Sequence, residues 1–431
     1  PFVGNEQSLK SYLQGRLQMP KEINFQPEKQ TQSDPLLAMI EVILGIPSDK
    51  IDATKSFQEL GFNSLTLAGF AEKITTHFNQ NFNPSRFFEI QNLNDLRGLL
   101  NVSPVAEITS SKDFSKSDED PIVVCGHACQ FAGSENATIF WQNLVTGKEC
   151  TQSTLHQRFG PGVPETRIGL LEGIDLFDHP FFAITSQEAK WLDPQQRLLL
   201  QLSWHLFENA GIAPSSLKGE AVGVFVAIQF DDYARLSDRE QSLDIYQITG
   251  CAKTFAANRL SYYYDFHGPS ETIDTACSSS MSAIARAVHA LRNDECDYAL
   301  VMGVSLLCDF KTVELTEQLH IISPKGQCRP FDKEADGYVK GEGVAGILLT
   351  KSSIAEKKTL RIEAIVSGIA VNHGGRAQSI TAPNGKAEQE VMRRAYAKSS
   401  VFPSEIDYLE AHATATKLGD PVEYQAITAV F

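Results

Sequence analysis

The chain has 431 residues, 42% hydrophobic and 21% charged, the make-up of an ordinary globular protein with material for a large core. Its formal net charge is −15, which argues against a nucleic-acid protein, whose affinity rests on clustered Lys and Arg meeting phosphates. No apolar run reaches the length that spans a bilayer, and the N-terminus lacks a signal-peptide pattern.

Residues 1–33 are polar, rich in Gln and Asn, and read as a connector with one short helix at most. Residues 34–100 read as a compact helical bundle. In "DPLLAMIEVILG", Asp34 is the expected N-cap and Pro35 the first helical residue. Leu36, Leu37, Ile40, Ile43 and Leu44 share one face. A second helix is predicted from about Leu65, with Leu67, Phe70, Ala71, Ile74 and Phe78 at helical spacing. A third is predicted near Leu93 to Leu100. Residues 101–120 are Ser-rich and charged and read as a flexible linker.

From Pro121 onward the character changes. Strand-like runs ("PIVVCG", "AVGVFVAI", "YALVMGVSLL", "GVAGILLT", "RIEAIVSGIAV") alternate with helical runs such as "QQRLLLQLSWHLFENAG" and "MSAIARAVHALRN". That alternation predicts an α/β domain with substantially buried sheet. The eight cysteines do not form close, regular pairs, which points to a reducing cytosol rather than a disulfide framework. Cys125 and Cys129 flank His127 in "CGHAC". A zinc site needs a second ligand pair, and the sequence offers none, so no metal is expected.

Two short stretches carry chemistry. In "ELGFNSLTLAGF", Ser64 follows a turn at Gly61 and opens the second helix; taken alone, an N-cap is the ordinary reason for such a serine. In "IDTACSSSMSAIARAVHAL", Cys277 sits among Ala276, Ser278, Ser279 and Ser280, with Met281, Ile284, Val288 and Leu291 at helical spacing beyond it. A lone cysteine is more often a small buried hydrophobe. A helix start, however, carries partial positive charge and free N–H groups. These favour a thiolate and stabilise the oxyanion of an attacked thioester. Small neighbours leave room for an acyl chain.

The Ser64 stretch resembles the phosphopantetheine site of acyl and peptidyl carrier proteins. The resemblance implies 4'-phosphopantetheine attached at Ser64 by a phosphopantetheinyl transferase, giving a thiol arm that holds acyl groups. Most members have Asp before the serine; here it is Asn63, which keeps the shape and loses the charge. "GPSETIDTACSSS" resembles the active-site motif of β-ketoacyl synthases, especially those of modular polyketide synthases. "PIVVCGHACQFAG", "WLDPQQRLLLQLSWHLFENAGIAPSSLKG", "ANRLSYYYDFHGPS", "RPFDKEADGYVKGEGVAGILL", "VNHGG", "TAPNGKAEQ" and "YLEAHATATKLGDPVE" follow the family's order over residues 121–431. The implied fold is a thiolase-like layered αβαβα domain behind a small all-α carrier bundle.

The resemblance places the acyl-accepting nucleophile on Cys277. It places on His412 the histidine that stabilises the enolate formed when a malonyl-type extender loses carbon dioxide. Thr414 and Thr416 would line the pantetheine path, and Asp420 and Glu423 would hold the loop in shape. "GEG" at 341–343 lacks the Lys and Ser/Thr of a phosphate loop and reads as a structural turn. Three positions depart from the family. Ala413 and Ala415 stand where Gly is usual, so positive φ or close backbone approach would strain the loop or narrow the path. Gln378 in "GGRAQSITAPNG" is also unusual. The family's second histidine and its preceding lysine lie beyond "LGDPVE", so the chain reads as a ketosynthase incomplete at its C-terminus.

These features predict one part of a polyketide assembly line that performs decarboxylative Claisen condensation. Its implied partners are acyl and malonyl-type thioesters on carrier domains, upstream and downstream modules, and a second copy in a homodimer. Two alternatives stay open: a non-elongating, chain-passing ketosynthase, and a non-catalytic carrier or docking module. A simple thiolase is disfavoured by the synthase form of the cysteine motif and by the carrier.

Overall fold

A computed structural model describes residues 34–431 except 63, 79–81, 89, 91, 101–119, 154–155, 165, 240–242 and 400. The connector 1–33, Asn63, and the linker up to 119 lie outside the described residues.

Three helices form the first unit: α1 (Pro35–Leu44), α2 (Ser64–Phe78) and α3 (Leu93–Leu100). The Asp34 side chain accepts from the Leu36 N–H at 3.0 Å, and Gly45 ends α1 in the left-handed region at φ 68°. Arg97 on α3 donates through Nε to the same Asp34 carboxylate at 3.0 Å, tying the first helix to the last. Leu36 and Ile40 are buried, while Leu37, Ile43 and Leu44 pack at the edge of the core. The centre is aromatic. Phe70 and Phe87 stack at 5.4 Å, and Phe57 meets Phe87 edge-on at 5.2 Å.

The second unit is built on one six-stranded sheet, ordered β3-β2-β4-β5-β1-β6. Its strands are β1 (Ile122–Phe131), β2 (Val222–Ile228), β3 (Ser270–Ile273), β4 (Tyr298–Ser305), β5 (Gly343–Lys351) and β6 (Ala364–Val366). β3, β2 and β4 run parallel; β5, β1 and β6 continue the sheet antiparallel. Every residue of β2 is buried, which is why "VGVFVAI" has no polar alternation. All five predicted runs contain a strand. β3, inside the cysteine motif, has only four residues and no hydrophobic alternation, so no sequence pattern announces it.

Helix α4 (Pro194–Ala210) covers one face, with Leu199, Leu206 and Phe207 fully buried against the sheet. Between α4 and β3 lies α5 (Phe255–Tyr264). Helix α6 (Ser279–Arg292) covers the other face with Ala283, Ala287, Val288 and Leu291. Its apolar stripe is mostly alanine because it lies close to the strands. A Cβ on Gly303 of β4 would stand 2.7 Å from Ser280 Oγ. Two further helices follow the sheet, α7 (Gly385–Ala397) and α8 (Gly419–Thr428).

The aromatic centre makes the carrier-like unit sensitive at one point. Replacing Phe70, fully buried among Phe57, Phe62 and Phe87, with Ala should cost about 3–5 kcal/mol in a denaturant titration of that unit. A loss near zero would mean that the stack is not packed as described.

Candidate active site

β3 ends at Ile273 and α6 begins at Ser279, so the chain turns from strand to helix within five residues. Cys277 lies in the single 3₁₀ turn Ala276–Ser278 that makes this elbow, and it is exposed. Ala276 holds φ 55°, in the left-handed region that non-glycine residues avoid. Hydrogen bonds fix the turn. The Thr275 N–H donates to Ser279 Oγ at 2.8 Å, and the Ser279 hydroxyl donates to the Ala276 carbonyl at 2.7 Å. The Ser278 hydroxyl donates to the Thr275 carbonyl at 2.9 Å. Asp274 accepts from the Ala276 N–H at 3.2 Å and pairs with Lys253 at 3.0 Å. The serines around the cysteine therefore do more than leave space: two of them lock the elbow.

Cys277 opens into a groove of about 650 Å³, lined among others by Phe131, Ala227, Met302, Gly303, Gly343 and Gly346. A larger surface groove of about 1070 Å³, between the ends of α4 and α5, shares no residue with it. Burial pushes the Tyr338 hydroxyl up, and Cys277 adds to that push. Burial pulls the Lys340 ammonium down, against the opposing pull of Asp232 and Cys277. Tyr338 and Lys340 thus stand within the electrostatic reach of the sulfur. Neither stands out in the sequence; the only signal is their place beside "GEG". Glu342 of that triplet is buried and accepts from the Leu171 and Leu307 N–H groups at 2.7 and 2.8 Å, with Arg158 3.1 Å away. It is a structural anchor.

His412 is exposed on the loop that leads into α8. Glu423 grips this loop: its carboxylate accepts from the N–H groups of His412 at 2.5 Å and Ala413 at 2.8 Å. Asp420 accepts from Thr416 N–H at 3.3 Å and from Phe331 N–H at 2.6 Å. Thr414 and Thr416 hydroxyls lie 3.1 Å apart, and Thr416 Oγ1 also accepts from Gly419 N–H at 3.0 Å. Ala413 and Ala415 both hold φ 54°, so the chain carries methyl groups where the backbone favours glycine. The Ala415 carbonyl accepts from Gly337 N–H at 2.8 Å. That bond ties the His412 loop to the segment bearing Tyr338 and Lys340, and through it to the surroundings of Cys277. No hydrogen bond joins His412 to Cys277 among the described residues.

Behind the loop stands Glu388 on α7. Its Oε2 is buried and has no hydrogen-bond partner among the described residues. Burial, helped by the charge of Glu423, pushes its carboxyl up to about 7. The other cysteines differ from Cys277 in setting. Burial pushes the thiols of Cys125 and Cys296 up to about 11, and those of Cys129, Cys251, Cys308 and Cys328 also rise. Cys125 donates to the Leu348 carbonyl, and His127 pairs with Glu363 at 2.5 Å, so neither is turned to a common ligand.

Ser64 is the first residue of α2, after Gly61 at φ 96°. The first turn of this fifteen-residue helix carries no acidic side chain, and the N-terminal end of a helix suits a phosphate group. The local structure therefore fits a phosphate-linked arm.

With this geometry in place, comparisons with known proteins agree. Residues 34–100 match the phosphopantetheine attachment site family, 119–355 the N-terminal domain of β-ketoacyl synthase, and 363–431 its C-terminal domain. The chain belongs to the β-ketoacyl synthase family, joined to a phosphopantetheine carrier domain whose covalent cofactor is 4'-phosphopantetheine. It is 36% identical over 404 residues to a phenolphthiocerol/phthiocerol polyketide synthase of Mycobacterium tuberculosis (strain H37Rv), covering 90% of this chain and 22% of that protein. It is 33% identical to polyketide synthase PksM of Bacillus subtilis (strain 168), covering 94% of this chain and 10% of that one. The chain thus spans less than a quarter of these relatives. Among solved structures, the oxazolomycin ketosynthase domain OzmH KS7 of Streptomyces albus superposes with a TM-score of 0.68 at 33% identity, over 73% of this chain and 56% of that one. The ketosynthase from module 6 of the bacillaene synthase of Bacillus subtilis gives 0.68 at 34%, over 72% and 54%. The fold is thiolase-like.

Two outcomes are expected. Replacing Ala413 with Gly should raise the unfolding free energy by about 0.5–1 kcal/mol, the relief of a left-handed alanine less the added chain entropy; denaturant unfolding measures it. Glu388 has its folded pKa raised from 4.5 to about 7. Its contribution is therefore full below the unfolded value and lost as pH rises through about 7. Glu388→Gln should flatten the decline in melting temperature across that window; an unchanged slope would assign the decline to other groups.

Proposed function

We propose that this chain is the carrier and ketosynthase portion of an assembly-line polyketide synthase, with residues 34–100 as carrier, 101–120 as linker and 121–431 as synthase. The exposed thiol of Cys277, held in a strained elbow at the start of α6 and opening into a groove, carries this reading. Ser64 would anchor the phosphopantetheine arm. When bound, that arm supplies a thiol that carries acyl groups as thioesters.

Cys277 attacks the carbonyl of an incoming acyl thioester. The N–H groups of the elbow and of α6 take the charge that develops on the oxygen. The departing thiol takes a proton, and the acyl chain stays on Cys277. A malonyl-type extender then loses carbon dioxide. His412 donates a hydrogen bond to the extender's thioester oxygen as the enolate forms, and the enolate carbon attacks the Cys277 thioester, breaking its C–S bond and releasing the Cys277 thiolate for the next acyl group. Thr414 and Thr416 line the approach. The edge of β3 turned away from β2 has no strand partner among the described residues, which supports a homodimer. The partners are acyl and malonyl-type thioesters on carriers, neighbouring modules and a phosphopantetheinyl transferase. No helix among the described residues is long and apolar enough to cross a membrane. All eight cysteines are free, which supports a cytoplasmic setting.

A second reading has its own observation. Ala413 and Ala415 sit at φ 54° beside His412 and weigh on decarboxylation, not on acylation of Cys277. That favours a chain-passing ketosynthase that does not elongate.

Intact-mass spectrometry separates the readings. After loading Ser64 and supplying an acyl thioester, the acyl mass should appear on Cys277 and be absent from Cys277→Ala. With a malonyl-loaded carrier, His412→Ala should keep acylation and slow carbon dioxide release roughly a hundredfold to a thousandfold. Acylation without elongation that persists when the native downstream sequence is present would establish the chain-passing reading. Acyl transfer that persists in Cys277→Ala would overturn both.

A further inference from the structure

Gln378, the residue that departs from the family pattern without an evident role, reaches out of the synthase unit. Its Nε2 donates to the Phe87 carbonyl at 2.8 Å and to the Ile90 carbonyl at 3.5 Å. These oxygens lie 291 and 288 positions away along the chain, in the carrier unit. Phe87 belongs to the short 3₁₀ helix Pro84–Phe88, and Ile90 follows it. The last carbonyls of a helix have no partner within it. The Gln378 amide supplies one.

Charge also acts across the two units, at longer range than a hydrogen bond. Ser56 hydrogen bonds hold the Glu59 carboxyl of the carrier below its usual range, and Arg376, two residues before Gln378, adds to this. The loop bearing both residues is braced from within. The Gly375 N–H donates to His373 Nδ1 at 2.9 Å, and Asn384 Nδ2 donates to the Gly374 carbonyl at 2.6 Å. Asn384 also caps α7 through the Lys386 and Ala387 N–H groups. One residue thus fixes both the loop and the helix that carries Glu388.

We propose that residues 372–381 form the surface on which the synthase holds the carrier of its own chain, with Gln378 reading the end of the Pro84–Phe88 turn and Arg376 reading Glu59. The partner this surface fits is a helical carrier with an acidic residue at that place and an open helix end beside it. The proposal rests on the carrier–synthase reading above and goes beyond it by assigning the docking residues. Main-chain carbonyls supply the contact, so the fold of the turn is recognised; the longer-range attraction between Arg376 and Glu59 adds a preference among carriers.

Two measurements on the full chain test it. In the first, p-benzoylphenylalanine replaces Gln378, and irradiation is followed by denaturing electrophoresis and peptide mapping. The expected product keeps the single-chain mass and joins position 378 to a peptide within residues 82–93. A product of doubled mass, or one with no carrier peptide, overturns the assignment to the chain's own carrier. The second measurement reads single-turnover acyl transfer from the loaded carrier to Cys277. Gln378→Ala should slow it about fivefold, the factor for one uncharged hydrogen bond. Arg376→Glu and Glu59→Lys should each slow it, and the double variant should recover. Leu243→Ala, at an exposed position of the synthase unit outside this loop, should leave it unchanged. Transfer that is normal in all the variants overturns the docking surface while the proposed function stands. If Cys277 takes no acyl group even in the unaltered chain, the proposed function falls. The cross-link then decides docking alone: a link of single-chain mass to the carrier upholds it, and its absence overturns it.

Discussion

The reversal between β3 and α6 is the constraint on which the rest of the synthase unit depends. A strand at the edge of the sheet must become a helix on its face within five residues. No relaxed alanine backbone does this, and Ala276 takes the left-handed conformation. Strain of this kind persists only where the surroundings over-determine it. Here Ser278, Ser279 and Asp274 supply that determination by bonding the backbone of the turn itself. The alanine stripe of α6 and the glycine at 303 then let the helix settle close to β4. The thiol ends up at the junction of strand, helix and groove because the bonded turn holds it there.

The loop of His412 solves its own version of the problem with carboxylates. Two consecutive N–H groups, of His412 and Ala413, point to one acceptor, Glu423. Asp420 takes two more, from Thr416 and from Phe331 of another segment. These bonds offset the cost of two left-handed alanines, roughly 1–2 kcal/mol each for an L residue. Glu423 also bears on Glu388, so one carboxylate serves the loop in front of it and disfavours charge on the acid behind it.

Much of this was legible in the sequence. The three helices of the carrier unit follow from apolar spacing, with Asp34 and Pro35 marking the start of the first. The four long strands, β1, β2, β4 and β5, show because buried β-strands are continuous apolar runs, and the short β6 shows only because it lies within a longer apolar run. β3 was hidden because four residues carry too little pattern, and its role is topological. The strain at Ala413 and Ala415 was legible only conditionally, since φ cannot be read from an alanine; the glycine habit of related proteins supplied the hint. Lys340 and Glu388 were invisible for a different reason. A buried cation and a buried acid look like surface residues until the packing around them is known. Gln378 stood out as a deviation, and its meaning required a partner almost three hundred residues away.

The hydrogen bond from Gln378 to main-chain oxygens has a consequence for how such proteins change over time. A side chain that grips carbonyls is indifferent to the identity of the residues that own them. The contact itself asks nothing of the Ile90 side chain or of the Phe87 ring, whose limits come instead from the aromatic centre of the carrier; provided the turn keeps its path, the grip survives. Mutational freedom on one side of the contact is therefore wide, and on the other narrow: few side chains besides glutamine present a neutral donor of that reach. Recombination that brings in a foreign carrier of the same shape would meet a surface already able to hold it. Recombination within the loop would break the hold at once.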